Sequence, residues 1–107
     1  MSSNNTIQRW ICQVHVLPST HDEYYSPGAL GAYVCVVADA DSRIEFEGIV
    51  RSTLENTMQF PVLEIYDTDI LLPDRILSEE LKDSIDQILP VFPIAFSSFY
   101  FYTEEQA

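Results

Sequence analysis

The 107 residues are 47% apolar, enough to bury one core, which excludes a disordered or low-complexity chain. Seventeen acidic residues against five basic ones give a formal charge of −12. No Lys or Arg run occurs, so the composition argues against direct binding to nucleic acid or to an anionic membrane.

Residues 1–6 are polar and expected to fray, leaving 7–107 as a single α+β domain. No charged-then-apolar leader pattern stands at the N-terminus, and no apolar run nears the roughly 20 residues of a membrane span. The expected location is cytoplasmic.

The first predicted strand is "RWICQVHVL", Arg9 to Leu17. Trp10, Cys12, Val14 and Val16 alternate on one side, and Ile11, Gln13, His15 and Leu17 on the other. A turn-rich stretch from Pro18 to Ala32 follows, long for a hairpin connection. "YVCVVA", Tyr33 to Ala38, is apolar on both faces, as a central strand is. If these strands pair, a Cys12–Cys35 disulfide is conceivable, but two reduced, buried thiols are expected in the cytosol.

A helix is predicted after Asp41. Ser42 and Glu45 stand in the relation of a capping box, and Phe46, Ile49, Val50, Leu54 and Met58 recur at helical spacing. Glu47 and Arg51 form an i,i+4 pair, and Asn56 suits a left-handed helix end. "FPVLEIYD" reads as the next strand, with Pro61 near its start. A second helix within Asp74 to Leu89 carries Leu77, Leu81, Ile85, Ile88 and Leu89 as its stripe, Ser78 as a cap and Pro90 as its stop. "PIAFSSFYFYT" is a last, aromatic strand. Ala95, Phe99 and Phe101 are expected on one side of it, and Phe96, Tyr100 and Tyr102 on the other.

This order, β-β-α-β-α-β, predicts a two-layer α+β sandwich: a four-stranded mixed sheet with both helices on one face. In general plan it resembles the ferredoxin-like and ACT-like sandwiches, whose usual order is strand-helix-strand twice.

Motifs for chemistry are absent. A phosphate site at the start of the first helix would need glycines, and Asp39, Asp41 and Ser42 stand there instead. The D-x-D pairs Asp39/Asp41 and Asp67/Asp69 lack the glycine and final glutamate of a calcium loop; Val50 and Ser78 occupy its twelfth position. Gly28 and Gly31 lead into a strand and read as loop glycines. No catalytic, metal or cofactor residue is assigned.

The aromatic pattern is the informative one. With both helices on one face, the other would expose Ile11, Gln13, His15, Leu17, Glu64, Tyr66, Phe96, Ser98, Tyr100 and Tyr102. An apolar patch with polar inclusions marks an interface or a ligand surface, unless the 18–32 loop folds over it. Three readings follow, in this order. The first is a non-catalytic interaction protein, of inhibitor, immunity or adaptor type, for a basic partner. The second is an ACT-like small-molecule regulatory domain. The third is a small enzyme using His15 or His21 with Glu64 or Asp22. The aromatic last strand also leads to the expectation of a two-fold homodimer through the sheet.

Overall fold

The computed structural model describes residues 7–21, 26–88 and 94–103. The expected frayed tail, Asp22, Leu89 and Pro90 fall outside the described residues. The strands are β1 (Gln8–Val16), β2 (Ala29–Ala40), β3 (Val62–Ile70), β4 (Ile94–Phe96) and β5 (Tyr100–Thr103). Two helices, α1 (Arg43–Ser52) and α2 (Glu79–Ile88), accompany them, and α1 continues into a π-helical turn, Thr53–Thr57.

The α+β plan is the one the chain adopts: a single open sheet with two helices packed against it. Its order is β3-β1-β2-β4, and β5 lies on the same edge of β2 as β4. Every neighbouring pair is antiparallel. The mixed sheet expected from sequence is therefore corrected. Strands β2 and β3 flank a helix and run the same way, but β1 lies between them, so no parallel pair forms.

β1 and β2 pair without a break from Gln8↔Ala40 to Val16↔Ala32, so residues 29–32 belong to the strand and not to the preceding loop. Side chains alternate across this ladder and define two faces. On the first, Cys12, Val14, Val16, Val34, Val36 and Ala38 pack beneath Phe46 and Val50 of α1 and Leu54 of the π turn that continues it. Fully burying a side chain such as Phe46 contributes about 1.5–3 kcal/mol. Trp10 stacks on Phe46 with ring centres 6.1 Å apart and donates from Nε1 to the Ala40 carbonyl at 3.1 Å.

Ser42 caps α1 by accepting from the Glu45 amide at 3.1 Å. Glu45 reaches back to the Asp41 amide at 2.9 Å, closing the expected capping box one residue early. The predicted Glu47–Arg51 pair is replaced by Arg43–Glu47 and Arg51–Glu55. The reason is tertiary: Glu47 also accepts from Thr68 Oγ1 of β3, and Glu55 accepts from the Val62 amide. Gln59, not Asn56, takes the left-handed conformation, with φ 59°, because the π turn carries the helix further.

α2 packs on the opposite face. Leu81 and Ile85 bury against Ile11, Val37 and Ala95, with Leu77, Leu71 and Cys35 alongside. Ser78 caps it by accepting from the Leu81 amide. Both helices on one face was the expectation, and this corrects it. Ile11 and Val37 alternate with the residues under α1, so a helix that touches them lies on the other side of the sheet. Cys12 and Cys35 fall on opposite faces by the same alternation, and both are free thiols.

The last strand is interrupted. β4 pairs with Val36–Ala38 and β5 with Ala29–Tyr33, with Ser97, Ser98 and Phe99 between them. Ser97 fills the gap: its amide donates to the Cys35 carbonyl at 2.9 Å, and its Oγ accepts from the Cys35 amide at 2.9 Å. This break shifts the side-chain phase. Phe96, Phe99 and Phe101 all join the α1-side core, where Phe99 stacks on Phe60 at 4.7 Å. The predicted opposition of Phe96 to Phe99 and Phe101 is thereby corrected.

Candidate functional site

α2 covers only the middle of the second face, over Ile11 and Val37. Beyond it, toward the β1 C-terminal end, the sheet presents Gln13 and His15 from β1, Tyr33 from β2, and Tyr100 and Tyr102 from β5. The register sets His15 opposite Tyr33, Gln13 opposite Cys35, and Tyr33 opposite Tyr100. On the other side of β1, His15 faces Glu64 and Gln13 faces Tyr66.

His15 and Tyr33 stack with ring centres 4.5 Å apart and planes 16° apart. Tyr102 lies 5.7 Å from His15 and 5.5 Å from Tyr33, and its hydroxyl is hydrogen-bonded to His15 Nε2 at 2.7 Å. Tyr102 reaches across β2 because its partner there is Gly31. A Cβ at Gly31 would stand 2.5 Å from Tyr102 Oη and 2.8 Å from its Cζ, inside any permitted contact. Gly31 thus makes room for a ring; the loop role expected for it is corrected.

Tyr33 is 41% exposed and Tyr100 64%. Burial, with neighbouring Tyr33, Asp67 and Glu64, pushes the Tyr66 phenol upward. The strand beside this patch, β3, carries exposed Glu64 and Asp67 and is bulged twice against β1, with Asp67 at φ 53°. Bulges and charge of this kind protect a sheet edge from pairing with another chain.

The sequence-derived surface is thus divided. Gln13, His15, Glu64, Tyr66, Tyr100 and Tyr102 come together at this end of the sheet. Ile11 is buried under α2, and Phe96 packs on the α1 side. Ser98 is hydrogen-bonded by amide and hydroxyl to Glu80 of α2. Leu17 follows β1, and its amide donates to the Pro61 carbonyl at 2.8 Å. Thr20 likewise donates to the Gln59 carbonyl, which ties the described start of the 18–32 segment to the residues that follow the π turn. Sequence reasoning missed Tyr33 and Gly31. The signal for Tyr33 was an aromatic on the same side as Cys35 and Val37 in an otherwise aliphatic strand.

Other candidates are accounted for. Asp39 forms a two-point ion pair with Arg9, at 2.8 and 3.2 Å, and lies in β2 instead of at the helix end. Burial pushes the Cys12 thiol up to about 12 and raises Cys35 also, so both stay protonated near neutrality. Among the described residues no three His, Cys, Asp or Glu side chains gather as metal ligands. Nor is any helix among them long and apolar enough to cross a membrane.

Comparisons with protein-family models, with curated proteins and with solved structures found no match. The functional reading therefore comes from the geometry.

Proposed function

We propose that this chain is a non-catalytic protein-interaction module, and that it docks on a basic protein through the His15–Tyr33–Tyr102 end of its sheet. The observation that carries this reading is the stacked His–Tyr group with Tyr33 and Tyr100 exposed, on the part of the face that α2 leaves uncovered. Tyrosine suits such a role because one ring offers apolar area and a polar tip at low entropic cost. The His15–Tyr102 hydrogen bond and the close fit over Gly31 hold two of the rings in place, which lowers the ordering cost of binding. Glu64 and Asp67 beside the patch, within a chain at −12, complement a cationic partner and would speed its encounter. We place this function in the cytoplasm, where two unpaired thiols persist.

A second copy of the chain is a weaker choice of partner than sequence alone suggested. Phe96, Phe99 and Phe101 are spent on the internal core, and two chains at −12 repel. Sedimentation at low and moderate salt distinguishes the two: a monomer favours the basic partner, a dimer dispersed by Tyr100→Asp favours the homodimer.

The direct test is capture from cell extract on immobilised protein, with Tyr33→Ala/Tyr100→Ala as the paired bait. A basic protein held by the wild type at low salt, released at high salt and absent from the variant is expected. Identical proteins on both baits would overturn the proposal.

A further inference from the structure

At the opposite end of the second face the molecule carries a groove of about 640 Å³. Its walls come from the start of β1, the 71–77 segment between β3 and α2, and one side of α2. Leu71, Leu77 and Ile85 supply apolar surface. Ile7 and Leu72, each 59% exposed, also line it. This volume is in the range of small-ligand sites.

Its charge is unlike that of the rest of the chain. Among the described residues five charged side chains line it: Arg9, Arg75 and Lys82 against Asp39 and Asp86, a balance of +1. The whole chain stands at −12, so all remaining residues together carry −13. Three of the five cations therefore gather in one groove with, among the described residues, two acids. Linear sequence hides this, because Arg9, Arg75 and Lys82 belong to three separate segments.

The three cations are not equally committed. Arg9 is held by Asp39 in the two-point ion pair. Lys82 has Glu79 at 3.8 Å, an exposed and weak partner. Among the described residues the Arg75 guanidinium has no hydrogen bond or ion pair, and its charge is felt by the Cys35 thiol on the sheet beneath. Arg75 and Lys82 thus offer open donors beside an apolar wall.

We propose that this groove binds a small amphipathic anion, its apolar body against Leu71, Leu77 and Ile85 and its carboxylate or phosphate head between Arg75 and Lys82. An apolar ligand alone would not account for the gathered cations. A compact inorganic anion would leave the leucine and isoleucine wall unused. The inference does not rest on the docking role of the His15–Tyr33–Tyr102 end.

Calorimetry and amide chemical-shift mapping with decanoate, decyl phosphate and decyltrimethylammonium test it on the intact chain. Binding of either anion is expected, with shifts at Leu77 and Ile85, and the tighter of the two identifies the head group. The cationic analogue should bind about tenfold or more weakly than the anions, since a charge-assisted hydrogen bond is worth that factor. Arg75→Gln/Lys82→Gln, two exposed positions that leave the core intact, should weaken the anions to the same degree, while Tyr33→Ala leaves them unchanged. Equal binding of the anions and the ammonium, undiminished binding by the double variant, or no binding of either anion would overturn the proposal.

Discussion

His15 Nε2 and Tyr102 Oη lie 2.7 Å apart although the residues are 87 positions apart in the chain, because β1 and β5 both pair with β2 and Gly31 clears the space between. The contact ties the first strand to the last and orders two of the rings at the end of the sheet that α2 leaves open.

Gly31→Ala should therefore destabilise by about 1–3 kcal/mol, the usual cost of overpacking. The cost arises from the Tyr102 ring, since Gly31 does not occupy the left-handed region. Urea denaturation of Gly31→Ala, Tyr102→Ala and the double variant tests this as a cycle. The double variant should be clearly more stable than the sum of the single losses implies. Additive losses would place the strain elsewhere.

The two helices bury unequal cores. Leu54 is fully buried in the larger, α1-side cluster, whereas Ile85 is 8% exposed in a cluster that holds five buried residues among those described. Leu54→Ala should cost near the top of the range of about 2–5 kcal/mol and Ile85→Ala near its bottom. Chemical denaturation with an unchanged m-value measures both.

Glu80 accepts hydrogen bonds from the Ser98 hydroxyl and amide, which hold its carboxyl below the ordinary value of 4.5. A carboxyl depressed in the folded state contributes stability above its unfolded value and loses it as pH falls through the folded one. The acid limb of the stability profile should accordingly be shallower in Glu80→Gln, with little change in shape on the alkaline side. Superimposable acid limbs for the two proteins would count against the bond.

The thiols predict the opposite limb. Burial raises Cys12 from 9.0 to about 12, so the folded state favours the protonated form. That contribution is complete below 9.0 and fades as pH rises toward 12. Thiol-reagent labelling at neutral pH should be slow at Cys12 and governed by opening of the structure. Mild oxidation should give no intramolecular disulfide, because Cys12 and Cys35 point to opposite sides of the sheet. A non-reducing mass measurement after oxidation checks this.

Local signals in the sequence were sufficient for the elements themselves. Ser42 and Glu45 mark the start of α1 through bonds that span only a few residues, and the Phe46–Val50–Leu54 spacing identifies its buried stripe. Alternation in β1 separates Cys12, Val14 and Val16 from Ile11, Gln13 and His15, and the acidic excess is independent of fold. Sidedness was decided only in the tertiary structure. An apolar helix stripe says that a helix must pack, and β2 is apolar on both faces, so nothing local tells α2 which face to take. The break at Ser97 to Phe99 moves Phe96 into the α1-side core, and a phase shift of one residue leaves no mark in an aromatic run. Gly31 faces Tyr102, and Arg9 meets Arg75 and Lys82 across the groove, only once strand pairing has been chosen. Periodicity reports which side of an element avoids water, whereas a site depends on which elements meet.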